Sequence, residues 1–187
     1  IHEGRLWEYV MKKMRAHPKL FEAIDIFTKN PKYFLESTPK FKERSIFLFS
    51  KEDQHRPEIL DYQTTVQKFK TRKKIAVITK NTTIRPAYLT SEYDSLKEKF
   101  KDSESIQFCF YNPFLGIIPL ELSDLYPASH YEMPRIDFMP EDFPTFTQTW
   151  NVFFSRNHFD VVHVQKNDDF LKPFVKLVPK NTKIRFF

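Results

Sequence analysis

Apolar residues recur at helical spacing through the first part of the chain, and then change to short continuous runs. Leu6, Tyr9, Val10 and Met14 lie on one helical face, with Gly4 as a start before them. Pro18 fits the first turn of a second helix whose apolar face is Leu20, Phe21, Ile24 and Phe27. Asn30-Pro31 ends that helix, and Pro31 can open a short third one through Leu35. Residues 1–39 are therefore read as a helical lead-in, rich in the aromatic side chains Trp7, Tyr9, Phe21 and Phe27.

Beyond Pro39, strands alternate with helices. Residues 45–49, 75–78, 106–111, 161–164 and 183–187 have the length and composition of strands. Between them, residues 57–70, 91–100, 143–155 and 170–177 read as helices. Apolar strands separated by helices imply a parallel sheet covered on both faces. The prediction for residues 40–187 is an α/β domain, a mainly parallel sheet of about five strands flanked by helices. In such sheets ligands bind in the loops beyond the carboxyl ends of the strands. Two loops qualify, Thr79 to Leu89 and Asn112 to Pro134, and the proline-rich second is expected to hold one rigid conformation.

Composition removes several function classes. The chain has 187 residues, enough for a core without staples. Its two glycines, Gly4 and Gly116, are too few for a dinucleotide fingerprint and too far apart for a phosphate-binding loop. The single Cys109 excludes disulfide frameworks and cysteine-rich zinc sites, and suits a reducing compartment. No apolar run reaches the roughly 20 residues of a membrane span, and no signal-peptide pattern is present. A cytoplasmic protein without membrane contact, cofactor or metal is expected. The start at Ile1 rather than Met suggests a fragment or a trimmed product.

The net charge of +6 is unevenly spread. Between Tyr62 and Ser91 there is no acidic residue, while Lys68, Lys70, Arg72, Lys73, Lys74, Lys80 and Arg85 are all basic. From Leu120 to Trp150 the balance is acidic, and from Lys166 to Phe187 it is basic again. Clustered cations gain free energy by releasing the counterions condensed on nucleic acid, so the seven residues are candidate RNA contacts; a solvated face is the competing reading.

Other chemistry is weak on composition alone. His130 is expected to be a hydrogen-bonded structural residue, and His163 a core or face residue. Asp168 and Asp169 fit an exposed helix start, Glu121 is expected to hold loop backbone, and Cys109 to be inert packing. No catalytic or metal-binding residue is assigned.

One stretch carries more. Phe114-Leu115-Gly116-Ile117-Ile118-Pro119, Glu121-Leu122, Tyr126-Pro127-Ala128, His130-Tyr131 and Pro134 resemble a signature of the archaeosine family, of the form Ser-Pro-Leu-Gly-Val-Val-Pro-x-Glu-Leu then Tyr-Pro-Ala-x-His-Tyr. The family comprises archaeosine tRNA-guanine transglycosylase and its paralogue archaeosine synthase. His2-Glu3-Gly4-Arg5-Leu6-Trp7-Glu8-Tyr9-Val10 with Arg15-Ala16-His17-Pro18 resembles the chain leaving the transglycosylase barrel, and Arg56-Pro57-Glu58 a later stretch. The resemblance marks Gly116, Pro119, Glu121, Tyr126, His130 and Tyr131 as signature-loop residues.

It also implies what is missing. The barrel's catalytic aspartates and zinc site would lie before Ile1. The synthase motif Pro-Cys-x3-Lys-Pro-Tyr-x2-Ser-x2-His would fall on the loop after the second strand, where Lys80 and Asn81 stand at its Pro-Cys, Arg85 at its Lys, and Ala87, Thr90 and Tyr93 at its Tyr, Ser and His, so that only Pro86 survives. The resemblance thus implies a non-catalytic region that positions tRNA or links catalytic and RNA-binding parts. Its expected partners are tRNA and a catalytic transglycosylase domain or subunit, or further copies of itself. Two other readings stay open: an active synthase-like amidotransferase with an altered loop around Lys80 and Arg85, and a purely structural scaffold or dimerisation module.

Overall fold

Seven helices and two sheets are formed by the residues described in the computed structural model, namely 5–30, 35, 38–39, 41–82, 86–101, 104–134 and 138–187. The lead-in holds α1 (Leu6–Met14), α2 (Pro18–Glu22) and α3 (Ile24–Lys29). The expected single second helix is thus broken at Ala23, whose N–H bonds to the Leu20 carbonyl three residues back and tightens the turn. Pro18 opens α2 as expected, with the His17 ring accepting from the Lys19 N–H. Gly4, Arg85, Arg135 and most of the expected Pro31–Leu35 helix lie outside the described residues.

The main sheet has the order β4-β3-β2-β6-β7, from β2 (Ile75–Lys80), β3 (Ile106–Asn112), β4 (Gly116–Pro119), β6 (Val161–Val164) and β7 (Lys183–Phe186). All pairs are parallel except β3–β4. The mainly apolar character of β3 follows from coverage on both faces, since every one of its residues is buried, Gln107 and Asn112 included. Tyr93 of α5 (Ser91–Lys99) packs edge-on against Phe108 and Phe110. Tyr111, on the opposite face, meets Phe146 of α6 (Pro144–Arg156) and Phe170. On that face an aromatic layer of Phe146, Trp150, Phe170 and Phe174 lies between the sheet, α6 and α7 (Lys172–Val175).

The mainly parallel five-stranded sheet and helical lead-in agree with the expected α/β class, but one strand differs. Residues 45–49 do not enter the main sheet. β1 (Ile46–Phe47) pairs instead with β5 (Tyr131–Glu132) in a separate two-stranded parallel sheet. The fifth strand of the main sheet is β4, taken from the segment read as loop. Asn112 Oδ1 accepts from the N–H groups of Phe114 and Leu115, turning the chain sharply. Gly116 then takes φ +82°, and the chain returns antiparallel along β3. A Cβ at Gly116 would lie 2.7 Å from Cγ2 of the buried Thr149. Both backbone and packing therefore require glycine here.

The lead-in is fastened to the α/β body by polar contacts. Trp7 donates its indole N–H to Asp53 at 2.6 Å. The fully buried Arg56 guanidinium, at the start of α4 (Pro57–Lys68), pairs with Glu8 at 2.9 Å and Glu58 at 3.4 Å. Glu58 also receives the Lys42 ammonium. Burial alone would raise the Glu58 carboxyl, but Arg56 and Lys42 overcome it and hold the group below the usual range. The apolar residues of α1 and α3 form only a small cluster of their own around Met11, Met14 and Ile24. Leu6, Tyr9, Leu20, Phe21 and Ile26 remain exposed. Among the described residues no helix is long and apolar enough to cross a membrane.

Candidate nucleic-acid interface

The acid-free segment divides into two places. Lys68 ends α4, and residues 69–74 run as an extended link into the N-terminal end of β2. The buried Asn157 holds this link by accepting from the Thr71 N–H at 2.8 Å and donating to the Phe69 carbonyl. Lys68, Lys70, Arg72 and Lys74 are exposed along it. Lys73 is not equivalent, being half-buried with its ammonium 3.5 Å from Glu121. Lys80 ends β2, six residues on from Lys74 and at the opposite end of the strand.

On that side the ends of β2, β3 and β5 surround a cleft of about 960 Å³, where an open parallel sheet places ligands. Phe110, Tyr131, Met133 and Leu96 line it together with the polar Lys80 and Asn81. Asn81 donates to the Tyr131 hydroxyl at 2.8 Å, and Thr79 to Gln165 at 2.8 Å, so the rim is pre-organised. A neighbouring hollow of about 570 Å³ shares Lys80, Tyr111 and Gln165 and ends at Asp168. Tyr111 donates to that carboxylate at 2.6 Å, and burial together with the acceptor pushes its phenol well above the normal range. Asp168 also accepts from the Leu171 N–H. It is therefore tied to Tyr111 as well as to the helix start expected for it.

The signature residues are spread over several structures rather than gathered in one loop. Gly116 and Pro119 bound β4. Glu121 binds side chains, not the loop backbone expected of it, accepting from Gln107 at 2.7 Å and pairing with Lys73. Tyr126 packs against Phe41, and burial and the nearby Glu58 raise its phenol. His130 is exposed, sharing a 2.7 Å hydrogen bond with Ser129 and meeting Phe41 edge-on. Tyr131 and Pro134 of the signature line the large cleft. Cys109 is buried, and desolvation drives its thiol far above the reactive range, in keeping with inert packing. Among the described residues no group of three metal-ligating side chains comes together.

The strand-end cleft is implied by topology, but the sequence marks Asn81 only as a replaced position of the synthase motif and does not mark Tyr111 or Gln165 as site residues. Their positions at the C-terminal ends of β2, β3 and β6 were the available signal.

Comparison with curated proteins finds relatives over most of the chain. The chain is 33% identical over 139 residues to the tRNA-guanine(15) transglycosylase of Saccharolobus solfataricus, covering 72% of this chain and 27% of that protein. It is 30% identical over 136 residues to the enzyme of that name from Sulfolobus acidocaldarius, covering 72% of the chain and 26% of the relative. The match to the Methanobrevibacter smithii protein extends over 94% of the chain at 25% identity, covering 24% of that relative. This chain is a relative of a segment of the tRNA-guanine(15) transglycosylases. It spans about a quarter of the length of these curated relatives. No family model and no solved structure matches this transglycosylase relative.

Proposed function

We propose that this chain is the non-catalytic, tRNA-positioning region of an archaeosine-type transglycosylase, working in the cytoplasm beside a catalytic domain or subunit. The observation that carries the reading is the exposed row Lys68, Lys70, Arg72 and Lys74, held out from the sheet by Asn157 in a relative of enzymes named for tRNA. A rigid cationic row tracks phosphates without reading bases, which suits positioning rather than chemistry. The lead-in supports the second half of the proposal. Leu6, Tyr9, Leu20, Phe21 and Ile26 give a catalytic domain an apolar surface to cover.

The test is tRNA binding as a function of salt. Changing Lys68, Lys70 and Arg72 together to Gln removes up to three phosphate contacts. The log–log salt slope should then flatten by roughly 2.7, at about 0.9 per contact on duplex regions. Lys73 is left alone because its pairing with Glu121 would confuse the result. An unchanged slope would show that the row is only a solvated face, and the scaffold reading would replace this one.

A further inference from the structure

Among the described residues, the face of the sheet covered by α5 is left bare on its β7 side. Parallel register places Val77, His163 and Arg185 side by side, with Ile75, Val161 and Lys183 in the row before. Tyr93 covers the β3 end of these rows, but His163 is only half-buried, and Lys183 and Arg185 are exposed. Phe100, just after α5, reaches over to meet the His163 ring at 4.9 Å and the Phe187 ring at 5.5 Å. Lys99 lies 4.9 Å above the Phe187 ring.

The bare face is strongly cationic. Lys99, Lys183 and Arg185 form no ion pair among the described residues. Burial lowers the pKa of His163, and the positive charges of Arg185 and Lys99 lower it further. The strip also runs into the large cleft, because Phe187 lines both. At about 960 Å³ the cleft is within the usual range for small-molecule sites, roughly 300–1,000 Å³. Its acidic residue on α5, Glu92, is seven positions from Lys99, about 10 Å along the helix.

We propose that this bare face binds an unpaired stretch of RNA, with phosphates on Lys99 and Arg185 and one base in the adjoining cleft. The proposal rests on the reading that the chain contacts tRNA, but it uses a surface separate from the Lys68–Lys74 row. A flat cationic strip alone would suit any polyanion. Its continuity with a cleft of apolar floor and polar rim favours a strand whose bases are free to turn out, since a duplex keeps them stacked inside. Phe187 marks the junction between the two.

The experiment is fluorescence anisotropy of the full chain with a labelled single-stranded oligoribonucleotide, the same sequence as a duplex, and a polyglutamate peptide as competitor. The single strand should bind more tightly than the duplex and resist the peptide. The double variant Lys99→Gln, Arg185→Gln should flatten the single-strand salt slope by about 1.4, two contacts at about 0.7 each. Ser95→Trp, at an exposed position lining the cleft, should weaken single-strand binding while leaving the slope unchanged. The substituted Lys99, Arg185 and Ser95 are all exposed, and a thermal melt of each variant checks that it is folded. Equal affinity for duplex, equal displacement by polyglutamate, or an unchanged slope would each overturn the proposal. The Lys68, Lys70, Arg72 variant separates the two readings, because it should keep single-strand binding even if its effect on tRNA proves absent.

Discussion

Replacing Gly116 by Ala tests the turn that creates the fifth strand. The new Cβ meets Cγ2 of Thr149 at 2.7 Å, a distance that real Cβ atoms do not tolerate, and its backbone sits at φ +82°. The left-handed conformation costs a non-glycine residue roughly 1–2 kcal/mol. Forcing a methyl into a packed core adds about 1–3 kcal/mol. Thr149 has little room to retreat, being fully buried with its hydroxyl bonded to the Thr145 carbonyl at 2.9 Å inside α6. The sum, roughly 2–5 kcal/mol, is a large part of the 5–15 kcal/mol that usually holds a domain together. For a chain of this size it corresponds to a melting temperature lower by about 4–20 °C. Chemical denaturation followed by circular dichroism measures it, with Thr149→Ser as the second arm of a cycle. Serine removes the clashing methyl and keeps the hydroxyl, so the double variant should recover at least about 1 kcal/mol. The backbone penalty should remain. Additivity of the two changes within about 0.5 kcal/mol would show that Thr149 is not what Gly116 accommodates.

Two further outcomes depend on titration. Glu58 has a lowered pKa in the folded chain, so its pairing contributes stability above the unfolded value and loses it as pH falls through the folded one. Glu58→Gln should therefore be less stable at neutral pH, by about 3 kcal/mol as for a broken buried pair, and should lose less on acidification than the wild type; parallel stability curves below pH ~5 would contradict this. His163 should titrate below the ordinary histidine value of 6.5 by NMR, and Arg185→Gln should move it upward by removing a neighbouring positive charge. No movement in that variant would place Arg185 away from the ring.

Much of the architecture could be read in advance because burial on both faces leaves a plain trace. The runs at Ile75–Ile78, Ile106–Tyr111 and Val161–Val164 are strands in the structure, and they share the main sheet. What a run cannot say is which sheet it joins. Ile46 and Phe47 look like any other buried strand, yet their partner is Tyr131–Glu132, far along the chain. β4 was hidden for a different reason. Its four residues are short, and it is a strand only because the Asn112 side chain and the Gly116 backbone fold it back on β3. The basic residues 68–74 were visible as a charge run, but the division that removes Lys73 from it depends on Glu121 coming close in space. The cationic strip was harder still. Lys99 and Arg185 are far apart in sequence and meet only through the β6–β7 register and the reach of Phe100.

The Arg56 cluster has a bearing on how the lead-in is held to the α/β body. The seam between α1 and the α/β body is a polar latch, with Trp7 on Asp53 and Glu8 on Arg56, rather than an oily contact. Opening an oily contact exposes surface that seeks another cover, whereas opening this latch takes one of two carboxylate partners from a guanidinium that had no exposure at all. Such a joint favours a carboxylate at the position of Glu8, which makes the shortest of the contacts Arg56 has, beside those to Glu58 and the Phe47 carbonyl. Neutralising Glu8 would therefore disturb the joint between α1 and the body without touching the apolar core.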